Sequence, residues 1–283
     1  MALKLMYITN DPAVAKIAEA SGVDRIFIDM EYIGKSDRQG GMDTVQSHHT
    51  PEDIARIKAA VSKAKLMVRV NPIHDATADY GSSKEEIDAA IEAGADILML
   101  PYFKTPEEVA EFVRLVDGRA ITLPLVETPE AAERIDEILS VEGIDEIFVG
   151  LNDLSLGYGM SFMFQLLADG TVERLCGKFR EKGIPYGFGG IAAIGQGLLP
   201  AERVIAEHYR LGSECVILSR SFCNAAGKSL HEVQAIFEPG VAAIRARETE
   251  CGGFTPEEFE SNRQSVVAAV AQIREIIAAK KKA

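Results

Sequence analysis

Two carboxylates stand at the ends of successive apolar runs in this 283-residue chain. Glu127 closes Ile121-Thr122-Leu123-Pro124-Leu125-Val126. Asp153 follows Ile147-Phe148-Val149-Gly150, inside Gly150-Leu151-Asn152-Asp153-Leu154-Ser155. Both runs read as buried parallel strands, and the C-terminal ends of such strands are where α/β barrels carry their chemistry. Two carboxylates on neighbouring strands can share one hard divalent cation. The sequence contains no Cys-x-x-Cys and no His-x-x-x-His pair, so the donors are oxygen alone, which suits Mg²⁺ or Mn²⁺. Taken singly, each has a plainer reading: Glu127 as an acid in a helix's first turn, Asp153 as a turn residue. Their placement on consecutive strand ends favours the metal.

Arg69 sits in Val68-Arg69-Val70-Asn71-Pro72. An arginine inside an apolar strand is costly unless paired. At the end of its strand it would face the barrel mouth, where it could clamp a carboxylate or stabilise an enolate oxygen. The plainer reading is a buried ion pair with Asp29 or Glu31. Those two acids, in Ile28-Asp29-Met30-Glu31-Tyr32, have period-two spacing and share one side of their strand.

Eight strand-like runs must position these groups: Leu3–Thr9, Arg25–Met30, Leu66–Asn71, Ile97–Pro101, Ile121–Val126, Glu146–Gly150, Ile184–Gly187 and Cys215–Ser219. Amphipathic segments lie between them, among them Pro51–Lys63, Lys84–Ala93, Pro106–Val116 and Pro129–Leu139. Such alternation implies parallel strands joined by crossover helices, and eight units fit a closed TIM (β/α)8 barrel of the α/β class. Thr-Pro-Glu recurs at 50–52, 105–107, 128–130 and 255–257. Threonine caps, proline opens the helix and glutamate suits its dipole, so these residues are structural punctuation. The long connections 33–49, 73–83 and 188–199 fall on the active face and read as lids or oligomer contacts. Gly187-Phe188-Gly189-Gly190-Ile191 reads as a turn needing positive φ, or as amides presented to an anion.

The barrel is assigned to residues 1–225 and a helical extension to 226–283, with patterns near Leu230–Ala246 and Pro256–Ala279. The stripe Val266, Val267, Val270, Ile273 and Ile277 is expected to pack on, or exchange with, a partner subunit. Net charge is -13, which argues against a nucleic-acid backbone partner. No run approaches the roughly 20 apolar residues of a membrane span, and the N-terminus lacks a signal peptide's apolar stretch. The scattered Cys176, Cys215, Cys223 and Cys251 read as reduced thiols of a cytoplasmic protein.

The set Ile-Asp29-Met-Glu31, Val-Arg69-Val, Leu98-Met-Leu-Pro101, Val-Glu127-Thr-Pro-Glu-Ala and Phe-Val-Gly150-Leu-Asn-Asp153-Leu-Ser resembles, in order and spacing, the metal-dependent 2-oxo-acid aldolases of the citrate lyase superfamily. The likeness covers most of residues 3–225. It implies a (β/α)8 barrel whose extra C-terminal helix is exchanged between subunits, in dimer-based homo-oligomers that reach hexamers. It implies that Glu127 and Asp153 ligate Mg²⁺ or Mn²⁺, chelated also by pyruvate, and that Arg69 binds the enolate. The turn Leu151-Asn152-Asp153 would hold the substrate carboxylate through the amides of Asn152 and Asp153. The implied reaction cleaves a 2-oxo acid to pyruvate, or a close relative, and an aldehyde.

Two positions depart from that pattern. Tyr32 stands where the aldolases carry a strand-two histidine that serves, with the aspartate, as acid/base, and Leu125 stands where they carry a glutamine. The proton shuttle is therefore altered. His48 and His49 at the end of the 33–49 connection are candidate substitutes, followed by Tyr32 and His74, while His208 and His231 on helical patterns read as structural. The other readings are a CoA-ester lyase of malyl or citryl type, an oxaloacetate-type decarboxylase or tautomerase, and a non-catalytic barrel that binds a 2-oxo acid.

Overall fold

In the computed structural model, which describes residues 2–34, 47, 49–77 and 80–280, eight parallel strands close on one another in chain order. They are β1 (Lys4–Ile8), β2 (Arg25–Asp29), β3 (Lys65–Arg69), β4 (Ile97–Leu100), β5 (Ile121–Val126), β6 (Ile147–Val149), β7 (Tyr186–Ile191) and β8 (Cys215–Leu218). The TIM-barrel expectation holds. His48 and most of the connection after β2 lie outside the described residues.

Side chains alternate across each strand, so one set fills the barrel and the other meets the helices. The inner set includes Phe27, Met67, Met99, Leu125 and Phe148, all buried. Register carries that set upward to the chemistry. Phe27 pairs with Met67, and two residues on Asp29 pairs with Arg69. Position 127 continues the inward parity of Leu123 and Leu125. Thus Asp29, Arg69 and Glu127 crown the apolar layers at the C-terminal mouth. At the opposite end Arg25 of β2 donates from Nη1 and Nη2 to Glu146, at 2.8 and 2.7 Å. Glu146 immediately precedes β6, four strands from β2 around the barrel, so the ion pair crosses its floor.

The outer helices are α1 (Pro12–Ala20), α2 (Pro51–Ala60), α3 (Ser83–Glu92), α4 (Pro106–Val116), α5 (Pro129–Glu133), α6 (Ile135–Ile138), α7 (Leu151–Gly157), α8 (Gln165–Ala168), α9 (Thr171–Lys182), α10 (Ala201–Leu211), α11 (Leu230–Cys251) and α12 (Pro256–Lys280). The threonine caps behave as expected at Thr105 and Thr128, whose side chains accept from Glu108 N and Ala131 N. The single helix expected over Pro129–Leu139 is two short ones, divided at Arg134 (φ -93°, ψ 20°).

The glycine-rich run is the larger correction. It belongs to β7, not to a loop after it, and a register shift between Gly187 and Gly190 marks a bulge. A Cβ at Gly187 would lie 2.3 Å from Cys215 O, so only glycine lets these two strands meet there.

In the C-terminal extension, Val266, Val270 and Ile273 are buried against the chain's own α10 and α8. Val267, on the same stripe, is exposed. α11 packs on α1 and α10, and Glu248 accepts the Leu3 amide at 2.6 Å, fastening the N-terminal strand. No described helix is long and apolar enough to cross a membrane.

Candidate active site

Arg69 ends β3 facing the mouth, and its strand neighbour supplies the partner. Nε and Nη2 donate to Oδ1 and Oδ2 of Asp29 at 2.9 and 2.8 Å. Glu31 Oε2 is 3.4 Å from Nε, and the guanidinium lies 5.5 Å over the Phe27 ring. Desolvation alone would lower the Arg69 pKa, but the charges of Asp29 and Glu31 outweigh it and hold the pKa well above the usual value. Arg69 is a fixed cation. The ion-pair reading and the substrate-clamp reading are both compatible with this geometry. Nη1 makes no hydrogen bond among the described residues, and the side chain lines a cavity at the mouth.

That cavity has a volume of about 650 Å³ and is lined by Asp29, His49, Arg69, Glu127, Leu151, Asn152 and Asp153. The structure thus gathers most of the residues singled out from the sequence. Glu31 contacts Arg69 from behind and is 1% exposed. Glu127 is held from β4: the amide of Tyr102 donates to Oε1 at 3.0 Å. Tyr102 has φ +51°, a left-handed conformation rare for a tyrosine, which aims that amide at the carboxylate. On the other side, a Cβ at Gly150 would come within 2.8 Å of Glu127 Oε2. The carboxylate is seated over Gly150, immediately before the α7 turn that carries Asp153. Neither Tyr102 nor Gly150 announces this role in the sequence.

Two carboxylates beside an open cavity fit a hard divalent cation that keeps water and substrate oxygens as its other ligands. Among the described residues no group of three His, Cys, Asp or Glu side chains forms a complete protein cage. Glu127 and Asp153 are the residues that could hold the ion. α7 begins at Leu151 with Gly150 as its cap and no side chain bonded there, so its first amides can serve a ligand's carboxylate.

The nominated proton carriers fare differently from the ion ligands. His49 is 8% exposed, and its Nδ1 accepts the Asp29 amide at 3.0 Å. This fixes the tautomer with the proton on Nε2, a donor. The arrangement gives His49 a donor's role in place of the expected base. Tyr32 does not line the cavity. Its hydroxyl donates to His49 O at 3.0 Å, and burial, then the charge of Glu86, pushes its pKa up to about 12. It positions His49 and is a poor base.

Asn71, which the sequence did not single out, accepts the amides of Tyr32 and Ile33 at 2.9 Å each. Glu86 anchors Asn71 in turn, its pKa raised to about 7 by burial. His74 is engaged with Pro72 O, Gly81 O and Ser83. Arg220 and Lys228 also line the cavity. They are eight positions apart in an irregular segment, and no spacing rule would have joined them.

A family model described as HpcH/HpaI aldolase/citrate lyase matches residues 4–163, more than half of the chain. A hydroxypyruvate/pyruvate aldolase of Roseovarius nubinhibens is 24% identical over 204 residues, 61% of this chain and 71% of that protein. A 2-keto-3-deoxy-L-rhamnonate aldolase of Escherichia coli K12 is 24% identical over 176 residues, 52% of this chain and 58% of that protein. Other curated relatives are spanned over as little as 14% of their length. The crystal structure of an HpcH/HpaI aldolase from Desulfitobacterium hafniense DCB-2 superposes with TM-score 0.58 at 17% identity, over 86% of this chain and 93% of that one. At that identity the likeness speaks to fold.

Proposed function

The chain belongs to the HpcH/HpaI aldolase/citrate lyase family, and on that premise we propose that it cleaves a 2-oxo acid, by a divalent-metal-dependent reversible aldol reaction, to pyruvate or a similar 2-oxo acid and an aldehyde. The aldolase names of its relatives support the class of reaction. The observation that carries the reading is that Glu127, Asp153 and the Arg69–Asp29 pair line one cavity at the strands' C-terminal ends.

Mg²⁺ or Mn²⁺ held by Glu127 and Asp153 would supply Lewis-acid polarisation of the 2-oxo group. The chain's own residues do the rest. Arg69, locked by two bonds to Asp29, presents Nη1 where negative charge develops on the 2-oxo oxygen as the carbon–carbon bond breaks. The amides of Leu151, Asn152 and Asp153 bind the substrate carboxylate at the start of α7. As the carbon–carbon bond breaks, the aldol hydroxyl proton passes to solvent water in the open cavity and a proton returns from water to the enolate carbon, while His49, held by Asp29 N and Tyr32, donates a hydrogen bond from Nε2 to a substrate oxygen. The apolar floor of Phe148 and Leu125 strengthens each of these interactions by excluding water.

The purified chain, supplied with Mn²⁺ and a 4-hydroxy-2-oxo acid, is expected to release pyruvate, read with lactate dehydrogenase. Chelation should abolish release, and Glu127→Gln or Asp153→Asn should cut kcat/KM by at least about 100-fold, as loss of a metal ligand or of one transition-state donor does. Undiminished cleavage after chelation, or in both variants, would refute the reading. Turnover of oxaloacetate alone, with no aldehyde-dependent reaction, would assign the decarboxylase instead.

A further inference from the structure

Past the end of β2 the ladder to β3 is continued by a side chain. The last main-chain rung runs from Met30 N to Arg69 O at 2.9 Å. In a parallel ladder the next would run from Tyr32 N to the Asn71 carbonyl, two residues on along each strand. Tyr32 N instead donates to Asn71 Oδ1, which takes the Ile33 amide as well, both at 2.9 Å. One oxygen thus holds two successive N–H groups while the chain turns off the barrel wall.

That grip depends on which way the Asn71 side-chain amide faces. Its oxygen accepts and its nitrogen donates, so a flipped amide would set hydrogens against hydrogens. Glu86, on α3, dictates the choice. Its Oε1 accepts Asn71 Nδ2 at 2.9 Å, and its two oxygens share the Asn71 main-chain amide at 3.1 and 3.2 Å. Among the described residues the Glu86 side chain bonds to Asn71 alone, and burial raises its pKa to about 7. A desolvated carboxylate without a cation costs stability. What it secures is the far end of a path of contacts.

The far end is His49. The Tyr32 amide is fixed by Asn71, its ring stacks on Tyr80 at 6.1 Å, and its hydroxyl donates to His49 O at 3.0 Å. The His49 ring accepts the Asp29 amide at Nδ1. Thr50 has an anchor of its own, its amide donating to Asp53 Oδ2 at 3.0 Å. The path through Asn71 and Tyr32 therefore bears on His49 itself.

We propose that Glu86, in the outer helix layer and absent from the cavity wall, is a positioning residue for His49, acting through Asn71 and Tyr32. The inference rests on the lyase reading only for the part His49 plays in turnover. The path of contacts is a feature of the fold by itself.

The test follows the His49 ring by nitrogen NMR, assigned with His49→Gln, beside pyruvate release at pH 8, where Glu86 is ionised. Wild-type His49 should show a bare Nδ1 and a protonated Nε2. In Glu86→Ala the two nitrogens should move toward the average of exchanging tautomers. Its kcat should fall about tenfold, with KM within about twofold and Mn²⁺ affinity unchanged. Glu86→Gln keeps an oxygen for Asn71 Nδ2, and should recover the spectrum and bring kcat within about threefold of wild type. Tyr32→Phe cuts the last step and should reproduce the loss. Adding Glu86→Ala to it should then cost less than a further twofold.

A wild-type His49 spectrum in Glu86→Ala, no recovery in Glu86→Gln, or fully multiplicative losses in the double variant would overturn the proposal. Glu86→Leu, which keeps bulk and removes the acceptors, replaces the alanine variant if that one does not fold. A wild-type His49 spectrum in Tyr32→Phe overturns the path whatever the Glu86 variants do. If His49 moves in these variants but the wild type never forms pyruvate, the lyase reading fails and the positioning stands. If Glu86→Ala releases pyruvate at the wild-type rate with His49 unmoved, the positioning fails and the lyase reading stands.

Discussion

One methyl group at Gly150 would show whether Glu127 is seated where a cation needs it. The backbone there (φ -82°, ψ 92°) accepts alanine without strain. The new Cβ would stand 2.8 Å from both Cβ and Oε2 of Glu127, and 3.1 Å from Leu125 Cδ1. Carbon contacts settle at about 3.5–4.0 Å. Leu125 can turn its methyl away, but Glu127 is held by Tyr102 N and must retreat by about 0.7 Å to relieve the contact. Metal–oxygen distances tolerate about 0.2 Å. Displacement of a ligand on that scale is expected to weaken Mn²⁺ binding by about 10- to 100-fold, the range seen when the groups that orient a ligand are altered. Fold stability should change little, because glycine-to-alanine replacement at a compatible site gains about 0.4–1 kcal/mol from chain entropy and offsets part of the crowding. The assay is Mn²⁺ titration by calorimetry, with Glu127→Gln as the reference for full loss. A folded Gly150→Ala variant with wild-type Mn²⁺ affinity would refute the argument that Gly150 seats a metal-ligating Glu127.

Arg69→Lys keeps the charge but replaces the two-point grip on Asp29 with a single flexible ammonium, so kcat should fall by about 100-fold while Mn²⁺ affinity stays unchanged; steady-state kinetics showing less than a threefold loss would contradict this. His208 is buried on α10, stacked 3.8 Å from the Phe188 ring, and burial pushes its pKa down to about 3. A depressed folded-state pKa means that stability is fully present above about 6.5 and is lost as pH falls toward 3, because the unfolded chain takes up the proton first. Over that window His208→Gln should flatten the stability–pH slope by up to about 1.4 kcal/mol per pH unit, measured by urea melts at successive pH values. An unchanged slope would show that His208 is not the titrating group.

The barrel was legible because short runs, most of them apolar, alternate with amphipathic helices, several of them capped. Glu127 and Asp153 were legible for the same reason: a carboxylate ending an apolar strand is costly to hold there unless a cation or a hydrogen-bond donor meets it. An ion pair of Arg69 with Asp29 or Glu31 was the plainer of two readings of a costly buried arginine, and it is register that sets Asp29 beside Arg69. What escaped depended on contacts distant in sequence. The glycines of β7 read as a turn because their partners, Cys215 on β8 and Leu151 on α7, are invisible to local pattern. His49 read as a base because a sequence does not show which ring nitrogen the Asp29 amide will occupy. Arg220 and Lys228 come together only when the segment after β8 folds over the mouth.

The bridge from Arg25 to Glu146 has a consequence for traffic. Buried charges joined by two short bonds add little net stability over an apolar filling, yet they cork the vessel from below, under layers of packed side chains. Among the described residues the barrel is closed at that end, so molecules that share the cavity would come and go by the mouth above Phe148 and Leu125.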